Sequence, residues 1–298
     1  MAKEKQKPAT GPRSAIELAP EGVLAATIPN GSDAPAYAFA ALAPGALVPG
    51  VAEANIRALD AVVDAIRTAL GELALKSRAV TLVLPDTSVR VFVLDFDTLP
   101  SKAAETNPVL RFRLRKMVPF DVEHAALSYQ VLVQTEDTVK VLATIMPGPI
   151  LAEYEAAVRQ AGYEPGVVLP SSLASLAALD SLEPILAANL SGQALTTSIT
   201  SGQDLYLFRT VDLPEDPEFR TAEIQRSIAV AAAYYEDKLV GRPRKLHYAG
   251  IQKVDDFARL VADPELAVVD IVPNTGVGAA NALGPMSIAG IAGALAGA

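Results

Sequence analysis

The two histidines of the chain, His124 and His247, are its first candidates for chemistry. They stand far apart in the sequence, and a metal site or a serine–histidine–aspartate arrangement would need more partners than these. His124 falls in an acidic turn and His247 in a predicted strand, where ordinary surface and core roles are expected. The chain has no cysteine, which excludes a thiolate site or nucleophile. The sequence therefore predicts no catalytic residue and no metal site.

Phosphate-binding motifs are also missing. The chain has neither G-x-x-x-x-G-K-[ST] nor G-x-G-x-x-G after a predicted strand. This excludes a P-loop and a dinucleotide-binding fingerprint.

A basic segment is the main charged feature of this acidic chain. Arg111, Arg113, Arg115 and Lys116 fall within six residues of a predicted helix, and Phe120 follows in a Pro-Phe stop. Such a patch would be a docking face for a partner or for anionic lipid. A solvated helix face is the alternative. We predict partner binding by Arg111, Arg115, Lys116 and Phe120.

Composition limits the class of protein. With 298 residues, 51% of them hydrophobic, the chain is one large domain or two ordinary ones with a sizeable core. Its net charge of −9 argues against a nucleic-acid binder, and the lack of cysteine fits a reducing compartment. The polar residues 1–13 lack the apolar core of a signal peptide, and a disordered tail is expected there.

The elements predicted around these residues form two similar halves, each a sheet with covering helices. Ile56, Leu59, Val63, Ile66 and Leu70 recur at helical spacing. Apolar runs without alternation, such as 80–84, predict strands covered on both faces. Residues 180–189 are expected to be a linker, and the second half is expected to begin with strands at 195–200 and 205–210.

The C-terminal segment has no charged residue from Ile271 to Ala298. Its length would span a bilayer, but alanine and glycine dominate it, and the leucine-rich body of a membrane helix is missing. We expect a buried helix that packs closely on a sheet, with a membrane segment as the alternative.

Several short motifs, in order and spacing, resemble those of PilM, the actin-like cytoplasmic component of type IV pilus assembly. More distantly, the chain resembles the cytoplasmic part of the type II secretion protein GspL. The resemblance runs from about Ser14 to the C-terminus. The motifs are Ile16-Glu17-Leu18 with Gly22-Val23, Leu82 to Pro85 followed by Val91-Phe92, Met117-Val118-Pro119-Phe120 with Ser128-Tyr129-Gln130-Val131, Ala161-Gly162-Tyr163-Glu164-Pro165, Arg209 with Tyr234-Tyr235, and Leu246-His247-Tyr248-Ala249-Gly250.

The resemblance implies an α/β, actin-like (ribonuclease-H-like) two-domain fold with a small inserted α+β subdomain. The expected order is a tail at 1–13, a first domain at 14–84 and 147–188, the inserted subdomain at 85–146, a second domain at 189–275, and a C-terminal helix at 276–298 that packs back on the first domain.

The resemblance also implies a function. A PilM-like chain would be a cytoplasmic scaffold at the inner face of the bacterial inner membrane, holding the N-terminal peptide of a PilN-like membrane protein in a groove beside the inserted subdomain. Other pilus platform proteins or ATPases are further expected partners. Two alternatives are an ATP-binding protein whose nucleotide state regulates pilus assembly and a type II secretion platform component.

The expected nucleotide site departs from the family pattern, in which two hairpins cradle the phosphates. The corresponding positions are predicted to be Glu17, Pro20, Gly22, Gly202 and Gly250, with the second hairpin near 195–201. Pro20 has no N–H to offer, and Glu21 would repel phosphate. We therefore expect no cofactor and a degenerate site, with ATP and Mg²⁺ as ligands only if the site works.

Overall fold

The computed structural model describes residues 12–29, 31, 34–179, 181–202, 204–239, 241–272 and 284–296. Nearly all of the predicted tail at 1–13 therefore lies outside the described residues.

The first sheet has five strands in the order β3-β2-β1-β4-β8. The first three strands are antiparallel neighbours, and β1, β4 and β8 run parallel. Helices α1 (Leu59–Gly71) and α3 (Gly148–Gln160) bury one apolar face of the sheet. The strands are β1 (Ser14–Ala19), β2 (Gly22–Thr27), β3 (Ala36–Ala41), β4 (Ala79–Leu84) and β8 (Glu164–Pro170).

The second sheet repeats this plan in the order β11-β10-β9-β12-β13, again three antiparallel strands followed by two parallel ones. Helices α5 (Pro217–Lys238) and α6 (Val254–Val261) cover its outer face. The duplicated order defines an actin-like fold, so the predicted fold class is confirmed. The strands are β9 (Ile185–Leu190), β10 (Ala194–Ser201), β11 (Asp204–Asp212), β12 (Lys245–Gly250) and β13 (Ala267–Asp270).

A small antiparallel sheet lies between β4 and α3 in the chain, in the order β5-β7-β6. Its strands are β5 (Arg90–Phe96), β6 (Ala125–Gln134) and β7 (Val139–Pro147). Helix α2 (Ala103–Leu114) covers it by burying Leu110 and Leu114 in a separate apolar cluster. We call this unit the inserted subdomain.

The end of the chain returns to the first domain. Helix α7 (Ala289–Ala296) packs on α4 (Ser171–Leu176) and on β1, β2 and β4. None of the helices in the described ranges has both the length and the apolar character needed to cross a bilayer. Residues 273–283 and 297–298 of the predicted C-terminal segment lie outside the described residues.

The expected start of the second half has to be corrected. The predicted linker at 180–189 contains all but the last residue of β9, the central strand of the second sheet, so the boundary at 189 falls inside a strand. Both faces of β9 are buried, and four of its first five residues are completely or almost completely covered. A short run such as Ile-Leu-Ala-Ala shows no alternation that would separate a buried strand from a linker.

Candidate functional site

A cleft opens between the two large sheets, where two β-hairpins face each other. The turn of β1–β2, with Pro20 and Glu21, forms one wall, and the turn of β9–β10, with Gly192, forms the other. Glu17, Asp86, Ser171, Asn189 and Gly250 are among the residues that complete the lining. The cavity volume is about 60 Å³.

The second hairpin differs from the one expected from the sequence. Residues 195–201 form the body of β10, and Gly202 lies in the β10–β11 turn at the other end of that strand, near Leu182. The turn that reaches the cleft is Ser191-Gly192-Gln193, and Arg220 donates from behind it to the Gly192 carbonyl at 2.9 Å. Of the predicted positions, Glu17, Pro20 and Gly250 line the cleft, whereas Gly22 and Gly202 do not.

Close packing explains two of the glycines at the predicted nucleotide-site positions. A Cβ on Gly250 would lie 2.7 Å from the Leu190 carbonyl oxygen, and one on Gly22 would lie 2.5 Å from the Ala40 carbonyl oxygen. Both distances are shorter than a carbon and an oxygen tolerate. These glycines are therefore required by close strand approach whether or not a ligand binds.

Two buried carboxyl groups form the floor of the cleft. The Ser171 hydroxyl donates to Glu17 Oε1 at 2.6 Å, and the Ser172 backbone N–H donates to Asp86 Oδ1 at 3.1 Å, with the Ser172 hydroxyl donating to Oδ2. The Asn189 amide donates to Ser171 Oγ at 3.4 Å, so β9 of the second domain joins the same network. This cluster could not be predicted from the sequence, because its members are far apart in the chain.

Burial makes these carboxyl groups weak acids. It raises the pKa of Glu17 to about 7, with the nearby Asp86 and Glu21 carboxylates adding to the effect of desolvation and the Ser171 hydrogen bond opposing it. Burial likewise raises the pKa of Asp86 to about 6, against the hydrogen bonds from Ser172 and Thr196. Glu17 Oε2 has no hydrogen-bond partner within the described part of the chain.

The described cleft lining offers no cationic partner for a triphosphate. It contains three carboxyl groups, Glu17, Glu21 and Asp86, and no lysine, arginine or histidine. Glu21 Oε1 would lie 3.5 Å from a Cβ on Gly192, so an acidic side chain stands between the two hairpins. Pockets for small ligands measure roughly 300–1,000 Å³, well above this cavity.

A second concave site, which we call the apolar groove, separates the inserted subdomain from the first sheet. Its volume is about 260 Å³. Strands β6 and β8, which border it, are both edge strands of their sheets. One wall comes from the inserted subdomain and the other from α3 and β8. The lining residues are Val89, Ala126, Leu127, Ser128, Thr144, Ile145, Met146, Leu151, Val168, Leu169 and Pro170.

The predicted partner-binding residues lie on the inserted subdomain but outside the groove lining. The Arg111 guanidinium donates to the backbone carbonyls of Val122 and of Ala125, so it forms hydrogen bonds within the inserted subdomain. Arg115 pairs with Glu123 at 2.5 Å, and Phe120 is half-buried against the small core. Lys116 is exposed.

The two histidines lie apart, as their sequence positions suggested. His124 is exposed and contacts the Asp121 carboxylate at 2.5 Å, which raises the pKa of the imidazole. His247 is half-buried in β12, where burial and Lys245 lower its pKa. Among the described residues, no group of three or more histidine or acidic side chains is placed to hold a metal ion.

The duplicated sheets and the cleft between them define the class of the protein, an actin-like fold carrying an inserted subdomain. No protein-family model and no curated protein matches the chain. Among solved structures, it is similar to one described as the PilM-PilN type IV pilus biogenesis complex, with 17% identity, 98% of this chain and 99% of that chain covered, and a TM-score of 0.69.

A second similar structure is the cytoplasmic domain of EpsL, an inner-membrane component of the type II secretion system of Vibrio cholerae. The identity is 15%, the coverage is 86% of this chain and 84% of that chain, and the TM-score is 0.50. The likeness to PilM and to the GspL cytoplasmic part expected from the sequence is thus confirmed. At these identities it establishes the fold.

Proposed function

We propose that the chain is a non-catalytic cytoplasmic scaffold of the type IV pilus inner-membrane platform. It holds the N-terminal cytoplasmic peptide of a PilN-like membrane protein, which keeps it at the inner face of the bacterial inner membrane. The observation that carries this proposal is the apolar groove, found in a chain whose whole length resembles a PilM–PilN structure.

The groove has the features that an extended apolar peptide needs. It is concave and mostly apolar, and β6 and β8 each have one side without a strand partner among the described residues. Edge strands bind extended peptides by adding a strand, with side-chain pockets supplying the specificity. A short membrane-protein tail with alternating apolar residues would satisfy both requirements.

The composition of the cleft supports a scaffold rather than an ATP-driven switch. Glu21, together with Glu17 and Asp86 when they are ionised, would repel a triphosphate, and the described lining offers no cation to offset them. Pro20 also removes one backbone donor from the first hairpin. The alternative of a nucleotide-regulated protein would need this cleft to open and rearrange. The type II platform remains a second candidate because of the likeness to the EpsL domain.

Isothermal titration with a PilN-like N-terminal peptide tests the proposal. Ser128 is exposed and lines the groove, so Ser128→Tyr should fill the groove without disturbing the core and weaken binding at least about tenfold. Gln130→Tyr is the matched control, because Gln130 is exposed on the same strand and outside the groove lining. It should bind like the unaltered chain.

Two outcomes would contradict the proposal. If the unaltered chain does not bind the peptide, the pilus scaffold is the wrong function. If the corresponding peptide of a type II platform protein binds more tightly, the chain belongs to that machinery instead.

A further inference from the structure

The inserted subdomain presents an exposed apolar surface that the groove does not use. Phe112 is 74% exposed on α2, and Met117 is 42% exposed in the turn that follows. Neither residue lines the apolar groove. Pro108, Phe112, Arg113, Lys116 and Met117 are all exposed on α2 or in the turn that follows it, and we call this set of residues the α2 face.

The α2 face is held rigidly. Leu110 and Leu114 are fully buried on the opposite side of the helix. The backbone N–H of Met117 donates to the Leu114 carbonyl at 2.8 Å, which fixes the turn to the helix end. Leu110 and Leu114 therefore take the core side of α2, and Phe112 lies on the solvent side.

Cations are sequence neighbours of these apolar residues. Arg113 and Lys116 are exposed and make no ion pair within the described part of the chain, and Arg115 shares its charge with Glu123. The complete chain carries a net charge of −9, so this local excess of positive charge contrasts with the rest of the molecule. An anionic surface would attract the α2 face and repel most other faces, which orients the protein.

We propose that the α2 face rests on the anionic lipid surface of the membrane, with Phe112 and Met117 inserted among the headgroups and Arg113 and Lys116 on the lipid phosphates. The inference rests on the proposed function, because a groove that holds the tail of a membrane protein lies within a short reach of the bilayer and the inserted subdomain forms one wall of that groove.

None of the α2 face residues lines the cleft or the apolar groove, which favours lipid over a protein partner. A bound peptide or protein domain buries anchors in a concavity, as the apolar groove provides. Protruding aromatic and methionine side chains flanked by cations instead match the headgroup layer, where apolar tips find hydrocarbon and cations find phosphates.

The test uses tryptophan as a reporter, since the chain contains none. Phe112→Trp is compared with Phe219→Trp, whose site on α5 is 69% exposed and far from the α2 face in the chain. The complete chain is mixed with vesicles of phosphatidylcholine, with or without phosphatidylglycerol. We expect the emission of Phe112→Trp to shift to shorter wavelength only with phosphatidylglycerol, and Phe219→Trp to remain unchanged.

Charge reversal provides a second test of lipid binding. Each cation near an anionic leaflet contributes a roughly fivefold change in partitioning, so Arg113→Glu with Lys116→Glu should weaken binding by at least about 25-fold. An unshifted Phe112→Trp emission overturns the proposal, as does an equal shift of Phe219→Trp. The peptide titration is done without vesicles, so the two hypotheses fail separately.

Discussion

At the scale of single residues, Glu17 should make stability depend on pH. Its pKa rises from 4.5 to about 7 on folding, so the folded chain holds this proton more tightly than the unfolded chain. The resulting stabilisation is complete below about pH 4.5 and is lost as the pH rises through 7. Glu17→Gln should remove much of this decline, which amounts to a few kcal/mol at most.

Denaturant unfolding at a series of pH values from 4.5 to 8 measures this effect. Asp86 loses its proton over an overlapping range, so the difference between the unaltered chain and Glu17→Gln isolates the Glu17 contribution. Glu164→Gln, at an exposed position, is the control and should follow the unaltered chain. If the free energy of unfolding changes with pH by the same amount in all three proteins, Glu17 is not the group responsible.

Asn55 is a second single-residue prediction. Its fully buried side chain accepts from the Gly50 N–H at 3.0 Å, the Ser88 hydroxyl at 2.6 Å and the Tyr154 hydroxyl at 3.0 Å, and donates to two backbone carbonyls of its own loop. Asn55→Ala leaves these groups unpaired and should lower the free energy of unfolding by about 2–4 kcal/mol. Urea denaturation measures this loss of stability. Asn107→Ala, at a half-buried position of α2, is the comparison and should lower the free energy of unfolding by less than about 1 kcal/mol.

At the scale of elements, the packing of α7 on α4 depends on a glycine. A Cβ on Gly293 would lie 2.7 Å from the carbonyl carbon of Ala174 and closer still to its oxygen. Gly293→Ala should therefore push the helices apart and destabilise the fold by about 1–3 kcal/mol, despite alanine's better helix propensity.

Gly71 provides the matched control for that substitution. It ends α1, and a Cβ there would meet no atom within 4 Å. Gly71→Ala should therefore leave stability unchanged or raise it by up to about 1 kcal/mol. Thermal unfolding of both variants checks the pair, and equal effects would show that α7 does not pack tightly.

The elements also show how far the sequence could be interpreted. The 3.6-residue period and the unbroken apolar run predicted α1 and β4, although Ile56 lies before α1, which begins at Leu59. Strand β9 was missed because its alanine-rich, two-sided burial leaves no alternation, and this error moved the second hairpin from 191–193 to 195–201. Glu17 and Pro20 were placed in the cleft through the family resemblance. Asp86 and Ser171 could not be assigned to the cleft from the sequence, because only the fold brings them together.

At the scale of the whole molecule, the inserted subdomain connects the two large domains. Strand β5 packs against β11 of the second domain, with Arg90 4.0 Å from Asp212 and Lys140 above the Tyr206 ring at 5.9 Å from its centre. The same subdomain forms one wall of the apolar groove. A peptide in that groove would therefore contact a unit that itself contacts both domains, so binding can stabilise their arrangement without a nucleotide.

The last prediction concerns ATP with Mg²⁺ and the complete chain. A ligand present at 100 times its Kd stabilises the folded state by about 2.7 kcal/mol, which raises the Tm of a domain of this size by roughly 5–10 °C. We expect no shift at millimolar ATP, because the cleft carries three carboxyl groups and Pro20 lacks an N–H. Pro20→Gly with Glu21→Ser removes one carboxylate and restores one donor, so a shift only in that double variant would identify the first hairpin as the cause. A shift of several degrees in the unaltered chain would instead make it a nucleotide-binding protein.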